Sequence, residues 1–338
     1  MQPAYRHATV CQPNTVYRLH KSNGRRKGRQ WRHCAALNHE PNNQTGNKMN
    51  VGLIGLGNIG ASLCRHLIAS EHDVTIFDVN ADAMAAFSDS SARVATSTQG
   101  LAQAVDVVLL SLPNSDIVEK VVLGKDGLAS GLAVGKVVID MSSSRPASTR
   151  DIAQRLATDG IHMLDAPVSG GTMRAAEGTL TMIVGGEDAV FERCETLLKI
   201  FGSQIIHVGP SGSGHLAKAI NNLLSATTLA SACEAVQLGA KAGLEPEKLI
   251  EVINASSGRS VSTEVKFPRY ILNRSFDDGF AISLMDKDAR IALETAQELG
   301  FDTPIGSTVG SLWQQAVEAG FGGRNHTAIY EYLETRHD

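Results

Sequence analysis

The chain has 338 residues, 43% of them hydrophobic and 20% charged, which gives length for about two globular domains and apolar content for a sizeable core. No run of 18 or more apolar residues free of charge or strong polarity occurs, which argues against a membrane-spanning helix. The formal net charge of −4 is unevenly placed, with nine Lys/Arg against one acid, Glu40, in residues 1–48, so the acidic remainder disfavours nucleic acid and anionic membranes as partners.

Residues 1–48 show no hydrophobic periodicity and are expected to be a disordered basic extension. A strand follows Met49 at once, as at a natural protein start, so we favour an over-extended upstream start over a targeting segment or a nucleic-acid arm. The segment is Arg-rich and acid-poor like a transit peptide, but neither Ser-rich nor amphipathic. The expected location is cytoplasmic, or the mitochondrial matrix if residues 1–48 are a transit peptide. Five scattered cysteines without metal spacing point to a reducing compartment and no disulfide framework.

From Asn50 the pattern sharpens. Val51–Ile54 reads as a short apolar strand, Gly55-Leu56-Gly57-Asn58-Ile59-Gly60 as a glycine turn into a helix over 61–69, and Asp73–Asp78 as the next strand. Strand, G-x-G-x-x-G, helix, strand and terminal acid together make a dinucleotide-binding fingerprint. Gly55 permits the tight turn, Gly57 lets the backbone approach a pyrophosphate, and Gly60 allows helix to pack on strand. The helix N-terminus offers free N–H groups to phosphate, and Asn58 and Ile59 of the turn are candidate cofactor-binding residues. Asp78 would accept hydrogen bonds from the adenosine ribose and repel a 2′-phosphate, so NAD is expected over NADP; its alternative task is to cap the following turn.

Further strands are read at 106–110, 136–140 and 161–165, separated by helices near 98–104, 114–122 and 146–158. This alternation predicts a doubly wound parallel sheet whose ligands bind beyond the carboxyl ends of the strands. Strands at 180–184 and 204–208 flank a helix over 188–200. A long helix from Gly214 to Ala242 comes next, unbroken by proline, and then helices at 246–255, 260–272, 283–299, 304–319 and 326–334. The expected architecture is therefore a doubly wound Rossmann-type domain over 49–211 and an all-α domain over 212–338, linked by the long helix. Lys218 and Asn222, at i and i+4 early in that helix, project from one face toward a common ligand.

In these residues the chain resembles the β-hydroxyacid dehydrogenases, the 3-hydroxyisobutyrate dehydrogenase-like enzymes, over nearly all of 49–335. The carriers are the glycine turn, Asp140-Met141-Ser142-Ser143, Asp165-Ala166-Pro167-Val168-Ser169-Gly170-Gly171, Gly212–Asn222 and Lys287-Asp288. The resemblance implies that Lys218 is the general acid/base and that Asn222 helps hold the substrate. It implies that Ser169, Gly170 and Gly171 bind the substrate carboxylate, that Ser142 lies near the substrate, and that Leu112, Pro113, Ser143 and Lys287 line the cofactor. The chemistry agrees with this. Hydride removal from an alcohol leaves a hydroxyl proton for a base, a lysine in a dry cleft has reason for a lowered pKa, and a glycine loop can converge N–H groups on a carboxylate.

The resemblance further implies an NAD-preferring dehydrogenase of a small 3-hydroxy acid, of the 3-hydroxyisobutyrate, tartronate semialdehyde/glycerate, 4-hydroxybutyrate or threonate type. Alternatives are an imine reductase of the same fold, which usually lacks the lysine, and a non-catalytic cofactor-binding interaction protein. Ile59 and Leu63 stand where the family commonly has methionine, a volume-conserving change. Arg174 is a candidate reader of a second anionic or hydroxylated end of the substrate. His215 reads as structural, no metal site is indicated by ligand spacing, and the resemblance, together with apolar surface all around the long helix, implies a homodimer or homotetramer.

Overall fold

The structure, a computed structural model, describes residues 48–336. The reading of the basic extension therefore falls almost wholly outside the described residues.

β1 (Asn50–Ile54), α1 (Asn58–Ile68) and β2 (Asp73–Phe77) form the glycine-turn unit. α2 (Ala81–Ala85), β3 (Arg93–Val94), α3 (Thr98–Ala104), β4 (Val107–Leu110), α4 (Ser115–Leu123), β5 (Val137–Asp140), α5 (Pro146–Thr158) and β6 (His162–Asp165) continue the alternation. β7 (Val168–Ser169), α6 (Gly171–Glu177), β8 (Leu180–Gly185), α7 (Asp188–Leu198) and β9 (Gly202–Gly209) complete the sheet. Among the described residues the strand order is β3-β2-β1-β4-β5-β6-β8-β7, with β9 beside β8. Every pairing from β3 to β6 is parallel, whereas β8 runs antiparallel to β6 and β7.

β4 and β5 are buried along their whole length, as strands covered by helices on both faces must be, and their unbroken Val/Ile/Leu runs follow from that. The core lies on both faces of the sheet. Leu53, Leu63, Ile76 and Leu109 pack on one side, and Leu101, Val108, Leu110 and Val138 on the other. The strand order changes direction between the neighbours β1 and β4, with β2 and β3 on one side and β5 and β6 on the other, and such a switch point leaves a crevice at the strand ends.

α8 (Ser213–Lys241) runs for 29 residues and leads into α9 (Pro246–Asn254), a π-helix (Ser262–Ile271), α10 (Ile282–Glu298), α11 (Pro304–Ala316) and α12 (Ile329–Glu334). Ala226, Leu229, Cys233 and Val236 of α8 join Phe267, Trp313 and Ile329 in a separate apolar core. The ordinary helix expected over 260–272 is instead a π-helix containing Pro268. Proline lacks an N–H and crowds the carbonyl of the preceding turn, and the wider i→i+5 spacing, seen in the 2.9 Å bond from Leu272 N–H to Phe267 O, relieves both. The helix expected over 304–319 likewise gives way after Ala316 to a π-turn ending at Phe321, with Gly320 at φ 89°.

Among the described residues no helix is long and apolar enough to cross a membrane, and no group of three or more His, Cys, Asp or Glu could hold a metal ion.

Candidate active site

The glycine turn is closed tightly around its own backbone. Gly55 has φ 96°, and a Cβ there would lie 2.2 Å from Ser111 O, so β1 and β4 approach at a point where only glycine fits. At Gly60 a Cβ would lie 1.9 Å from Gly55 O, which is why α1 can begin directly on the strand. Gly57, the N-cap of α1, meets nothing within 4 Å. The space before the first turn of α1 is therefore open, and the N–H groups of Asn58 and Ile59 face it without a side-chain cap. Open room at Gly57, no acid in the first turn and a helix N-terminus fit a pyrophosphate.

Asp78 ends this unit. Its Oδ2 accepts the Leu56 N–H at 2.6 Å and its Oδ1 the Asn80 N–H at 2.8 Å. The capping task read from the sequence is seen: the carboxylate caps the turn into α2 and is fixed beside the glycine loop, with further lone pairs left unused. Val79 and Asn80 follow, and no arginine takes a 2′-phosphate position there.

The second group lies where α8 leaves the sheet. Asp165, wholly buried at the end of β6, accepts the Gly212 N–H at 2.8 Å and the His215 N–H at 2.9 Å. This satisfies N–H groups that a helix start would otherwise leave bare. His215 is equally buried, with Nδ1 2.7 Å from Thr149 Oγ1 and Nε2 3.0 Å from Ser142 O. The structural role read for it holds: it ties α8 to α5 and to the loop after β5. Asp140 fixes that loop in turn, accepting the Ser142 N–H at 3.0 Å and the Ser144 hydroxyl at 2.9 Å.

These anchors set Lys218 in the second turn of α8. Ser143, Lys218 and Asp288 of α10 line one small cleft. Burial holds the Lys218 pKa below the ordinary lysine value; Asp288 opposes that shift and Lys287 adds to it. Among the described residues no hydrogen bond or ion pair engages its Nζ, which leaves the amine free to meet a ligand. Asn222 is 6% exposed, donates from Nδ2 to Asp288 Oδ2 at 2.6 Å and accepts from Asn221 Nδ2 at 3.1 Å. Lys218 and Asn222 thus share one face, as the i, i+4 spacing requires, with Asp288 joining them from a helix 66 residues away in sequence. Sequence reasoning quoted Asp288 within a motif yet gave it no task; a buried acid beside Lys287 was the available signal.

Lys287 donates to Pro113 O at 3.3 Å and Ser143 O at 3.0 Å, and lies 3.2 Å from Asp288 Oδ1. It thereby straps α10 to the loops after β4 and β5, the segments that carry Leu112, Pro113, Ser142 and Ser143. Ser142 is buried, and its Oγ accepts the Leu112 N–H at 2.9 Å. That hydroxyl shapes the loop after β4 and keeps its own hydrogen to donate. Ser169, Gly170 and Gly171 do not line the Lys218 cleft. Gly170 and Gly171 have φ 132° and 69°, and Arg174 folds back over them, since a Cβ at Gly170 would lie 2.5 Å from Arg174 Cδ. A Cβ at Gly279 would lie 3.0 Å from Thr172 Oγ1, so the loop before α10 closes on the start of α6.

Comparison with known proteins matches this layout. Residues 50–209 match the model of the NAD-binding domain of 6-phosphogluconate dehydrogenase, and residues 212–333 that of the NAD-binding segment of NADP-dependent 3-hydroxyisobutyrate dehydrogenase. The 2-(hydroxymethyl)glutarate dehydrogenase of Eubacterium barkeri is 39% identical over 284 residues, covering 84% of this chain and 94% of that protein. The 3-hydroxyisobutyrate dehydrogenase of Pseudomonas aeruginosa is 34% identical, over 80% of this chain and 92% of its own. The solved 3-hydroxyisobutyrate dehydrogenase of Mycobacterium tuberculosis with L-serine superposes with a TM-score of 0.79 at 28% identity, covering 85% and 99% of the two chains.

Proposed function

The chain belongs to the β-hydroxyacid dehydrogenase family of the 3-hydroxyisobutyrate dehydrogenases, and from that premise we propose that it interconverts a small 3-hydroxy acid and its semialdehyde, with Lys218 as general acid/base. It is an NAD-dependent hydroxyacid dehydrogenase. The observation that carries the finer reading is the unpaired, desolvated Lys218 amine in a cleft with Asp288.

The glycine turn at the start of α1 and Asp78 would hold NAD, which when bound would supply the acceptor for the hydride of the carbinol C–H bond. Lys218 Nζ, as the neutral amine, takes the hydroxyl proton as that C–H bond breaks and the C=O bond forms. In the reverse direction the ammonium returns the proton to the oxygen of the aldehyde. A lowered pKa raises the share of neutral amine near neutrality, which suits the oxidation. Asn222, its amide orientation set by Asp288 and Asn221, would hydrogen-bond the same hydroxyl. The Ser169–Gly171 segment, glycine at two of its three positions, would hold the carboxylate through backbone N–H groups. Asp78 favours NAD over NADP by accepting from the ribose and repelling a 2′-phosphate. Substrates of the 3-hydroxyisobutyrate, tartronate semialdehyde/glycerate, 4-hydroxybutyrate and threonate types fit this chemistry. The working molecule would be a homodimer or homotetramer, with residues 49–211 holding the cofactor and 212–338 completing the substrate side.

Lys218→Met tests the reading. Loss of a general acid/base should lower kcat by about 10²- to 10⁴-fold, while the NADH dissociation constant measured by fluorescence stays within about threefold. A variant that keeps its kcat would show that the proton leaves by another route.

A further inference from the structure

At the amino end of β6, away from the strand ends that face the crevice, the sheet splits. Among the described residues β8 meets β6 only at the pair Asp165 and Gly185, while β6 is laddered to β5 along its whole length. In that parallel ladder His162 N–H donates to Lys136 O at 2.9 Å and Ala166 N–H to Asp140 O at 2.7 Å. The alternate residues His162, Leu164 and Ala166 therefore turn their backbone polar groups toward β5. Met163, between them, turns its N–H and C=O the other way. Among the described residues no hydrogen bond reaches either group, and Met163 is only 6% exposed. A strand edge withdrawn from water is costly until something pairs with it.

A cleft of about 220 Å³ opens at this edge, lined by Met163, by Ala153 and Ala157 of α5 and by Val190 of α7. Ser211, His162 and Glu187 supply its polar side chains. Mostly apolar walls with a few convergent polar groups are the pattern of a small-molecule pocket. Apolar cavities of about 150 Å³ already admit benzene, so this one has room for roughly eight to ten heavy atoms. Water filling it would meet alanine and valine on several sides, short of the polar partners that ordered water needs. Glu187 is exposed, and among the described residues no hydrogen bond or ion pair engages its carboxylate. None of these lining residues lines the Lys218 cleft.

We propose that this cleft is a second ligand site, remote from Lys218, for a small amide that carries a cationic amine and a short branched apolar group, as an amino-acid amide does. The amide offers its carbonyl to the Met163 N–H and its own N–H to the Met163 C=O, the pairing that a neighbouring strand would make. The branched group packs on Ala153, Ala157 and Val190, and the amine turns to Glu187 and Ser211. A carboxylate in place of the amide fails twice: it has no N–H for the Met163 C=O, and Glu187 repels it.

The probe is L-valinamide, which has all three parts, and the control is L-valine, each added to the full-length chain with NADH bound. About 20 mM valinamide should raise the Tm by about 2 °C or more, and valine should leave it unchanged. Ala153→Leu, which fills the cleft from α5, should abolish the shift. Glu187→Gln keeps the walls and removes the charge, and should weaken valinamide binding by about two- to fivefold in calorimetry, the scale of an exposed ion pair. The NADH dissociation constant should stay within about twofold whether or not valinamide is present, as a site away from the glycine turn requires. No shift with valinamide, an equal shift with valine, an equal shift in Ala153→Leu, unchanged affinity in Glu187→Gln, or competition between valinamide and NADH would each overturn the site. Should Ala153→Leu fail to fold, Glu187→Gln and the valine control decide.

Discussion

Lys218 is set between two opposed charges, and its neighbour Asp288 is the more instructive. The carboxylate raises the lysine's pKa against the depression that burial imposes, and it also fixes the amide of Asn222. Replacing it by asparagine keeps the volume and a hydrogen-bonding group while removing the charge. Alcohol oxidation needs the neutral amine, so kcat/KM rises with pH through the Lys218 pKa. Asp288→Asn lowers that pKa further, and the acid limb of the pH–rate profile for oxidation should move to lower pH, with kcat falling by no more than about tenfold. A limb that moved to higher pH would remove Asp288 from the electrostatics of the site. Lys218 and Asn222 were legible in the sequence because helix periodicity alone puts i and i+4 on one face. Asp288 was not, because its task exists only once α10 packs across α8.

The glycine turn is the element whose conformation follows most directly from its residue types, and it separates two roles that one motif combines. Gly60 is demanded by the fold, since a side chain would strike Gly55 O, whereas Gly57 faces open space at an ordinary φ of −64°. Gly60→Ala should thus lower stability by about 1–3 kcal/mol or more, read as a fall in Tm without cofactor. Gly57→Ala should fold with a Tm close to wild type and raise KM for NAD by at least about tenfold, because its methyl stands where the pyrophosphate approaches. A normal KM in Gly57→Ala would place the pyrophosphate elsewhere. The π-helix is the counter-case. Apolar spacing over 260–272 marks a helix but does not distinguish i→i+4 from i→i+5, and Pro268 had to be seen in place to decide it. Short β7 and α6 escaped for a similar reason: two to seven residues around consecutive glycines carry no period to read.

At the scale of the molecule, buried polar ties and one apolar surface account for the assembly. Asp165, His215 and Thr149 fasten the start of α8 to the sheet, and Lys287 straps α10 to the loops after β4 and β5. Alternating strands and helices announced the sheet. The antiparallel turn of β8 and these ties were invisible in the sequence, because each joins residues tens of positions apart. α8 itself is apolar on two sides, and the chain covers only one of them. Ile220 and Leu238 stand 18 residues, or five full turns, apart on a line roughly 27 Å long, with Leu224 close to it, and they are 54%, 72% and 63% exposed. This line faces away from Lys218, which lies two residues and about 200° before Ile220. Thr227, Ser231 and Glu234 interrupt the line, but exposed apolar side chains at both its ends suit an association surface, and a second copy related by a two-fold axis would lay the same face against itself. Light scattering after size exclusion should therefore give at least twice the 35.9 kDa chain mass. Leu224→Glu combined with Leu238→Glu should lower the assembly state while leaving the NADH dissociation constant within about threefold, because the row is remote from the glycine turn. A wild type that is monomeric at micromolar concentration would show that this row is covered by something other than the chain's own copy.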